Sequence, residues 1–192
     1  MKANILALLL FLFALVSCGN DDDVHKEESH EFRDSLLGWY RLEAAYTDIP
    51  LDLNHDGMAN TNLFDEVTYC NMSLHLESYT SHFTYRENRN IVKIAVYTPA
   101  SKYILEQESY STCLFDNYRF YEIEISEESP ELNIIYTYPE FEDEFRVWIQ
   151  EVTWEDEIAY FTFKKEFYTS AGTWEEVTLY MEYKLDPDYG KN

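Results

Sequence analysis

From Asp52 the chain reads Asp52-Leu53-Asn54-His55-Asp56-Gly57-Met58-Ala59-Asn60, with an oxygen-bearing side chain at every second position and a glycine after the third. D-x-N-x-D-G is the first half of a calcium loop. A calcium ion takes six to eight oxygens at about 2.3–2.6 Å, and alternate residues of a tightly curled segment turn their oxygens toward one centre. Asp52, Asn54 and Asp56 supply side-chain oxygens, Met58 offers its backbone carbonyl, and Gly57 permits the sharp turn. Such a loop ordinarily closes on a bidentate acid at its twelfth position, where this chain has Leu63. Asn60 or Asn62, with Asp65 or Glu66 from a short helical turn over Asn62-Leu63-Phe64-Asp65-Glu66, must complete the shell. The expected ligand set is therefore Asp52, Asn54, Asp56, Met58, Asn60, Asn62 and Glu66, and the ion serves structure rather than signalling. The same composition also suits a metal-free polar turn.

The other residue with definite chemistry is Cys18. Met1 and Lys2 give a positive start, Ala3 to Leu15 form an apolar run, and Leu15-Val16-Ser17-Cys18 ends it. This resembles the lipobox of bacterial lipoproteins. The resemblance implies a signal peptide over 1–17, cleavage after Ser17, and acylation of Cys18, with palmitate-type chains holding the protein to a membrane. The acidic run Gly19-Asn20-Asp21-Asp22-Asp23 is similar to the export signal that carries Bacteroidetes-type lipoproteins to the outer membrane, with the cell surface favoured over the periplasmic face. Residues 18–34 are charged and poor in large apolar groups, so they read as a flexible acidic tether.

Cys70 and Cys113 remain, in a compartment where disulfides persist. A single bridge between them would close a loop of about forty residues and contribute about 3–4 kcal/mol in the chain-entropy model. Two buried free thiols are the alternative.

The folded part, 35–187 with a C-terminal tail at 188–192, is the length of one domain. Its pattern is that of strands. Met72, Leu74 and Leu76 alternate with polar neighbours, as do Val92, Ile94 and Val96, then Tyr121, Ile123 and Ile125. The segments 132–138, 145–152, 158–167 and 177–185 repeat the pattern, and strands at 39–47 and 83–85 complete the set. Glu87-Asn88-Arg89-Asn90 and Ser170-Ala171-Gly172 read as turns. Eight or nine strands joined as sequential hairpins close most simply into an up-and-down antiparallel barrel, with a two-sheet β-sandwich as the alternative.

Leu37-Gly38-Trp39-Tyr40-Arg41-Leu42 resembles the first strand of lipocalin-like domains, in which a Gly near a Trp opens the barrel and the indole plugs one end. Here the order is Gly-Trp-Tyr rather than Gly-x-Trp. With the D-L-N-x-D-G loop and Asn-Leu-Phe-Asp-Glu that follow, 36–76 is similar to lipocalin-like outer-membrane lipoproteins of Bacteroidetes-type bacteria. That resemblance implies a calyx fold in the cell envelope and names no ligand.

The formal charge of −23 argues against nucleic acid as a partner and admits divalent cations, basic proteins and neutral ligands. No catalytic centre is legible. His25 and His30 fall in the tether, His55 in the loop, and His75 and His82 alternate with apolar partners. Glu122, Glu124, Glu142, Asp143 and Glu144 could hide a glycosidase pair, but acids are too numerous here to discriminate. The reading is a non-enzymatic, monomeric binding lipoprotein whose apolar interior holds a small apolar or amphipathic ligand, with charged residues on the outer face or in turns. The alternative is an interior packed shut by aromatics, at 17% of the chain, with contact to an envelope protein or glycan made through the rim. A glycoside hydrolase is the remote third reading.

Overall fold

The computed structural model describes residues 30–67, 79–105, 108–113, 118–125 and 132–190, with only the backbone described for 111–113. Eleven strands run in the order β1 (Gly38–Leu51), β2 (Asn60–Asn62), β3 (Thr80–Arg86), β4 (Ile91–Val96), β5 (Ala100–Ile104), β6 (Ser109–Cys113), β7 (Arg119–Ile125), β8 (Leu132–Tyr136), β9 (Val147–Glu155), β10 (Ile158–Tyr168) and β11 (Trp174–Leu185). Among the described residues there are three short α-helices, α1 over 30–36 ahead of β1, α2 (Leu63–Glu66) and α3 (Pro139–Phe145), and a single 3-10 turn at Glu87–Arg89. No helix among the described residues is long and apolar enough to cross a membrane.

The sheet order β8-β7-β4-β3-β1-β11-β10-β9 sets neighbouring barrel strands side by side in chain order once the short β2, which pairs with β1 off this path, and the β5–β6 hairpin are set aside, and it returns β11 to β1. Every ladder is antiparallel. This is a nearly closed up-and-down barrel, as the hairpin pattern implied, and not a sandwich. β8 and β9 meet at the closing seam in contact but without a ladder among the described residues. The β5–β6 hairpin stands outside this order and packs on the barrel rim, where Tyr168 N donates to Ser101 Oγ at 2.9 Å and the Tyr110 ring lies 4.4 Å from that of Tyr168. This hairpin has no counterpart among the strands read from sequence. The strand expected at 72–76, together with Cys70, lies outside the described residues.

Period-two alternation explains the core. On β10 Ala159, Phe161, Phe163, Lys165 and Phe167 are buried, and on β11 Val177, Leu179, Met181 and Tyr183 are, while their sequence neighbours face out. Rings from separated strands meet across the lumen, Phe83 and Phe161 at 6.2 Å and Tyr121 and Phe163 at 6.3 Å, while Tyr40 and Phe83 of the neighbouring β1 and β3 pack at 4.8 Å. Each such ring stabilises the fold by about 1.5–3 kcal/mol relative to leaving it exposed.

One end of the barrel is plugged by α1. Phe32 and Leu36 lie one turn apart and turn the same face to the core, and Leu36 is fully buried. Residues 30–34, read from sequence as the last part of a tether, thus belong to this helix. Tyr40 Oη donates to Leu36 O at 2.8 Å and accepts from Trp154 Nε1 at 3.1 Å. The Gly-Trp motif works differently from the lipocalin expectation. Tyr40 takes the inward position, whereas Trp39 faces outward, stacked between His82 at 4.1 Å and Tyr189 at 4.5 Å. A shift of one residue along a strand changes the face, so the order Gly-Trp-Tyr puts the phenol inside and the indole outside. Gly38, at φ +144°, has Leu185 Cδ1 only 3.0 Å from where a Cβ would stand.

Candidate functional site

Two regions concentrate polar chemistry, and both lie at the barrel end opposite α1. The first is the loop that follows β1. His55 and Gly57 adopt positive φ, at 64° and 85°, which curls the backbone around its own side chains. Asp52 accepts from His55 N at 2.8 Å through one carboxylate oxygen and from Gly57 N at 3.1 Å through the other. Asn54 Oδ1 accepts from Asp56 N at 2.9 Å, and Asp56 Oδ1 accepts from Met58 N at 2.8 Å. Alternate residues therefore turn their side-chain oxygens back onto amides of the same loop. Asn54 Nδ2 spans the turn to Asp56 Oδ2 at 3.2 Å and Asp65 O at 3.1 Å.

The expected helical turn is present as α2. Asn62 Oδ1 caps it by accepting from Phe64 N at 3.2 Å. The last ligand candidates divide. Asn60 and Asn62 both donate to Asp65 Oδ2, at 3.2 and 2.9 Å. Glu66 instead turns inward, 2% exposed, and accepts from Leu53 N at 2.9 Å. Burial raises the Glu66 pKa, and the charges of Asp56 and Asp52 push it further, against the Leu53 and Asn54 amides. Asp52 moves the other way, lowered chiefly by its hydrogen bond with Ser170 and then by the His55 and Gly57 amides.

For a hard cation the donor chemistry fits, since Asp52, Asn54, Asp56 and Glu66 bring oxygens to one curled segment. Two exposed carboxylates raise the proton affinity of a third that is buried, and a divalent ion would relieve that repulsion. The three carboxylates do not close on one point, since among the described residues no three His, Cys, Asp or Glu side chains converge as a metal group. Met58 has an exposed side chain and offers only backbone.

The second region corrects an expectation. The lumen is not uniformly apolar, because Lys165, Arg119 and Tyr121 are buried beneath α3, as is Glu142 of α3 itself. Lys165 Nζ donates to Phe145 O at 2.7 Å and Arg146 O at 3.3 Å, so the ammonium ties down the C-terminal carbonyls of α3. Burial first, then the charges of Arg119 and Arg146, pulls the Lys165 pKa down to about 7 against the opposing pull of Glu166. Arg119 stacks its guanidinium 3.5 Å from the centre of the Phe145 ring, and burial draws its pKa to about 10. Glu142 accepts from Ile149 N at 3.3 Å. The Tyr121 hydroxyl is buried with no hydrogen-bond partner among the described residues, and burial raises its pKa, with Glu142 adding to the shift. Each of these groups is engaged in holding α3 or enclosed by it.

The sequence carried a signal for this cluster. Lys165 shares the phase of Phe161, Phe163 and Phe167, and Arg119 that of Tyr121 and Ile123, so strict alternation already points both cations inward. Lys164, one residue earlier, faces out and pairs with Glu176 at 2.6 Å. Of the carboxylates considered for a glycosidase pair, Glu122 is bound to Arg89 at 2.8 Å and Asp143 accepts from Trp148 Nε1 at 3.2 Å. Glu142 is occupied by the Ile149 amide. Cys18 and Cys70 lie outside the described residues, as does the Cys113 side chain. Compared with protein-family models, curated proteins and solved structures, the chain matches none.

Proposed function

We propose that this chain is a lipid-anchored protein of the cell envelope whose barrel is packed shut and which acts by contact through its exterior. The carrying observation is the meeting of Phe83, Phe161, Phe163 and Tyr121 across the lumen. Rings from β3, β7 and β10 occupy the space where a calyx would hold its ligand. Small-molecule sites generally require an enclosed volume of several hundred cubic ångströms. The antiparallel barrel itself is compatible with a lipocalin-like binder, and the packing favours the closed form. Cys18 supplies the anchor in this reading, through the lipobox-like Leu15-Val16-Ser17-Cys18.

Calcium belongs to the proposal as a structural ion in the loop after β1. Asp52, Asn54, Asp56 and Glu66 would hold it, and its charge would neutralise carboxylates that otherwise repel. Ser170 N donates to Asp52 O at 3.0 Å, so ordering the loop also orders the turn between β10 and β11.

One observation favours a second reading. The buried Lys165, Arg119 and Tyr121 give the end under α3 a polar lining that an amphipathic ligand with an acidic head could use if α3 swung outward. Uptake of a hydrophobic fluorescent probe separates the two. The closed reading expects no enhancement and no molecule in organic extracts of the gently purified protein; saturable uptake, or a co-purifying lipid, overturns it. For the anchor, Cys18→Ser is expected to release the protein from the membrane fraction, and retention with normal processing would contradict it.

A further inference from the structure

An exposed aromatic patch spans α3 and β8, and what it binds is inferred on the closed-barrel reading above. Ile135, Tyr136 and Phe141 are exposed at 46%, 48% and 43%, large apolar side chains on adjoining elements. Tyr138 joins them, its ring 4.8 Å from Tyr136 and 6.1 Å from Phe141. Scattered exposed apolar residues are ordinary, but a contiguous aromatic group marks an interaction surface. The exposed carboxylates of Glu140, Asp143 and Glu144 border it on α3. Ile135 faces out in phase with Asn133, and a register irregularity that pairs Ile123 with Ile134 but Glu122 with Tyr136 brings Tyr136 to the outer side as well.

This platform is rigidly held although α3 has only seven residues. Glu142 binds the Ile149 amide, Lys165 holds the carbonyls of Phe145 and Arg146, and Arg119 stacks on Phe145. The inner face of α3 is thereby fixed, and its outer face is presented with little ordering left to pay on binding.

The occupant follows from charge and ring chemistry. We infer that the outer face of α3 with β8 docks an arginine-bearing basic segment of another protein, guanidinium groups stacking on Tyr136 and Phe141 and pairing with Glu140, Asp143 and Glu144. A chain of formal charge −23 draws a basic partner and repels a second copy of itself. The molecule already uses this pairing internally. Arg119 lies over Phe145 at 3.5 Å, Arg146 over Trp174 at 4.0 Å, and Arg33 over Tyr85 at 4.2 Å. Aromatic anchors bordered by charge are also the composition of protein–protein hot spots.

The test is fluorescence anisotropy of a labelled hexa-arginine peptide against the full mature chain, at two ionic strengths. Tyr136→Ser with Phe141→Ser removes no charge, and it is expected to weaken binding by about tenfold or more. Ile49→Ser with Tyr103→Ser, exposed apolar residues on other elements, is expected to change it by less than about twofold. Melting curves confirm that each variant is folded, and Glu140→Gln with Glu144→Gln provides a second arm that leaves the rings in place and is likewise expected to weaken binding. Equal affinity in the ring variant and the parent would overturn the site, leaving only diffuse attraction to an acidic surface. Retardation in gels containing a neutral polysaccharide, lost in the ring variant while peptide binding persists, would overturn it in favour of a glycan. Either failure leaves the probe-uptake result, and with it the closed-barrel reading, intact.

Discussion

Both ends of the barrel are closed by a short helix, and in both an inward side chain captures the carbonyls at the helix C-terminus. At the α1 end the captor is Tyr40, whose hydroxyl donates to Leu36 O at 2.8 Å amid Phe32, Trp154 and Leu36. At the α3 end it is Lys165, whose ammonium donates to Phe145 O at 2.7 Å beside Arg119. A phenol stays neutral at any ordinary pH, and burial moves Tyr40 further from ionising. A buried ammonium carries a desolvation cost that depends on its proton. The same mechanical solution is therefore pH-independent at one end and pH-dependent at the other.

The largest expected effect is at the neutral end. Tyr40→Ala removes a fully buried ring, opens a cavity against Phe83, and strands Leu36 O and Trp154 Nε1. The expected loss is about 3–5 kcal/mol by urea unfolding, of the size measured for large aromatic deletions. Tyr40→Phe keeps the ring and strands only the two polar atoms, so a loss of about 1–3 kcal/mol is expected. If Tyr40→Phe cost as much as Tyr40→Ala, the plug would be held by the hydroxyl alone rather than by packing.

At the charged end the expectation turns on pH. The folded pKa of Lys165 is about 7, below the ordinary lysine value of 10.5, so between these values the unfolded chain binds more protons than the folded one. Stability owed to this group accordingly rises with pH across that window and is flat below it. Lys165→Met deletes the dependence. Below pH 7 the variant escapes the desolvation cost and loses the bonds to the Phe145 and Arg146 carbonyls, whereas near pH 10 only the loss remains. Its stability relative to the parent is expected to fall by a few kcal/mol from pH 6 to pH 10. Parallel pH profiles for the two proteins would mean that Lys165 remains charged throughout.

How much of this was legible differs between the ends for a physical reason. The barrel, its strand phases and the α2 turn follow from alternation and capping residues, which are local. The α1 plug was missed because Phe32 and Leu36 are only two apolar positions in a polar stretch, and their burial depends on Trp154 and Tyr40, distant in sequence. α3 has no counterpart among the elements expected from the sequence: Pro139-Glu140-Phe141-Glu142-Asp143-Glu144-Phe145 interleaves Phe with acids, Pro139 at the first turn favours a helix, and the tie that holds it comes from the far-off Lys165. The tight curl of the loop after β1 was legible because it is written in consecutive residues. How its acids divide was not, since only the fold buries Glu66 and leaves Asp65 to Asn60 and Asn62.

That loop lies at the charged end and sharpens the comparison with a third measurement. If calcium at about one hundred times its dissociation constant binds only the folded chain, it stabilises by about 2.7 kcal/mol. For a domain of this size the chelated protein is expected to melt about 5–10 °C lower. Asp52→Ala with Asp56→Ala should abolish the difference. The metal-free chain carries its own pH signature. The raised pKa of Glu66 contributes stability that is fully present below the ordinary carboxylate pKa and is lost as pH rises through the folded value. Chelator sensitivity should therefore grow from pH 4 to pH 7; a chelator without effect at either pH would reduce the loop to a polar turn.

The smallest effect tests the face assignment at the neutral end. Trp39 lies outside the barrel, its ring stacked 4.1 Å from His82 at an interplanar angle of 3° and 4.5 Å from Tyr189 at 20°. Aromatic pairs of this kind contribute about 0.5–1.5 kcal/mol each beyond area burial, and exposed pairs fall toward the lower bound. Trp39→Ala is therefore expected to cost about 1–2 kcal/mol, well below Tyr40→Ala, although tryptophan is the larger residue. The stack also provides a spectroscopic check that global stability does not. Burial lowers the His82 pKa, so the imidazole beside Trp39 is neutral at pH 7 and gains its proton only on acidification below the usual histidine range. An imidazolium quenches an adjacent indole, so the emission of the parent should fall on acidification, and His82→Gln should remove that step. If instead Trp39→Ala destabilised the fold as much as Tyr40→Ala, the indole would occupy the barrel end after all, and the one-residue displacement from the Gly-x-Trp order would have no structural consequence.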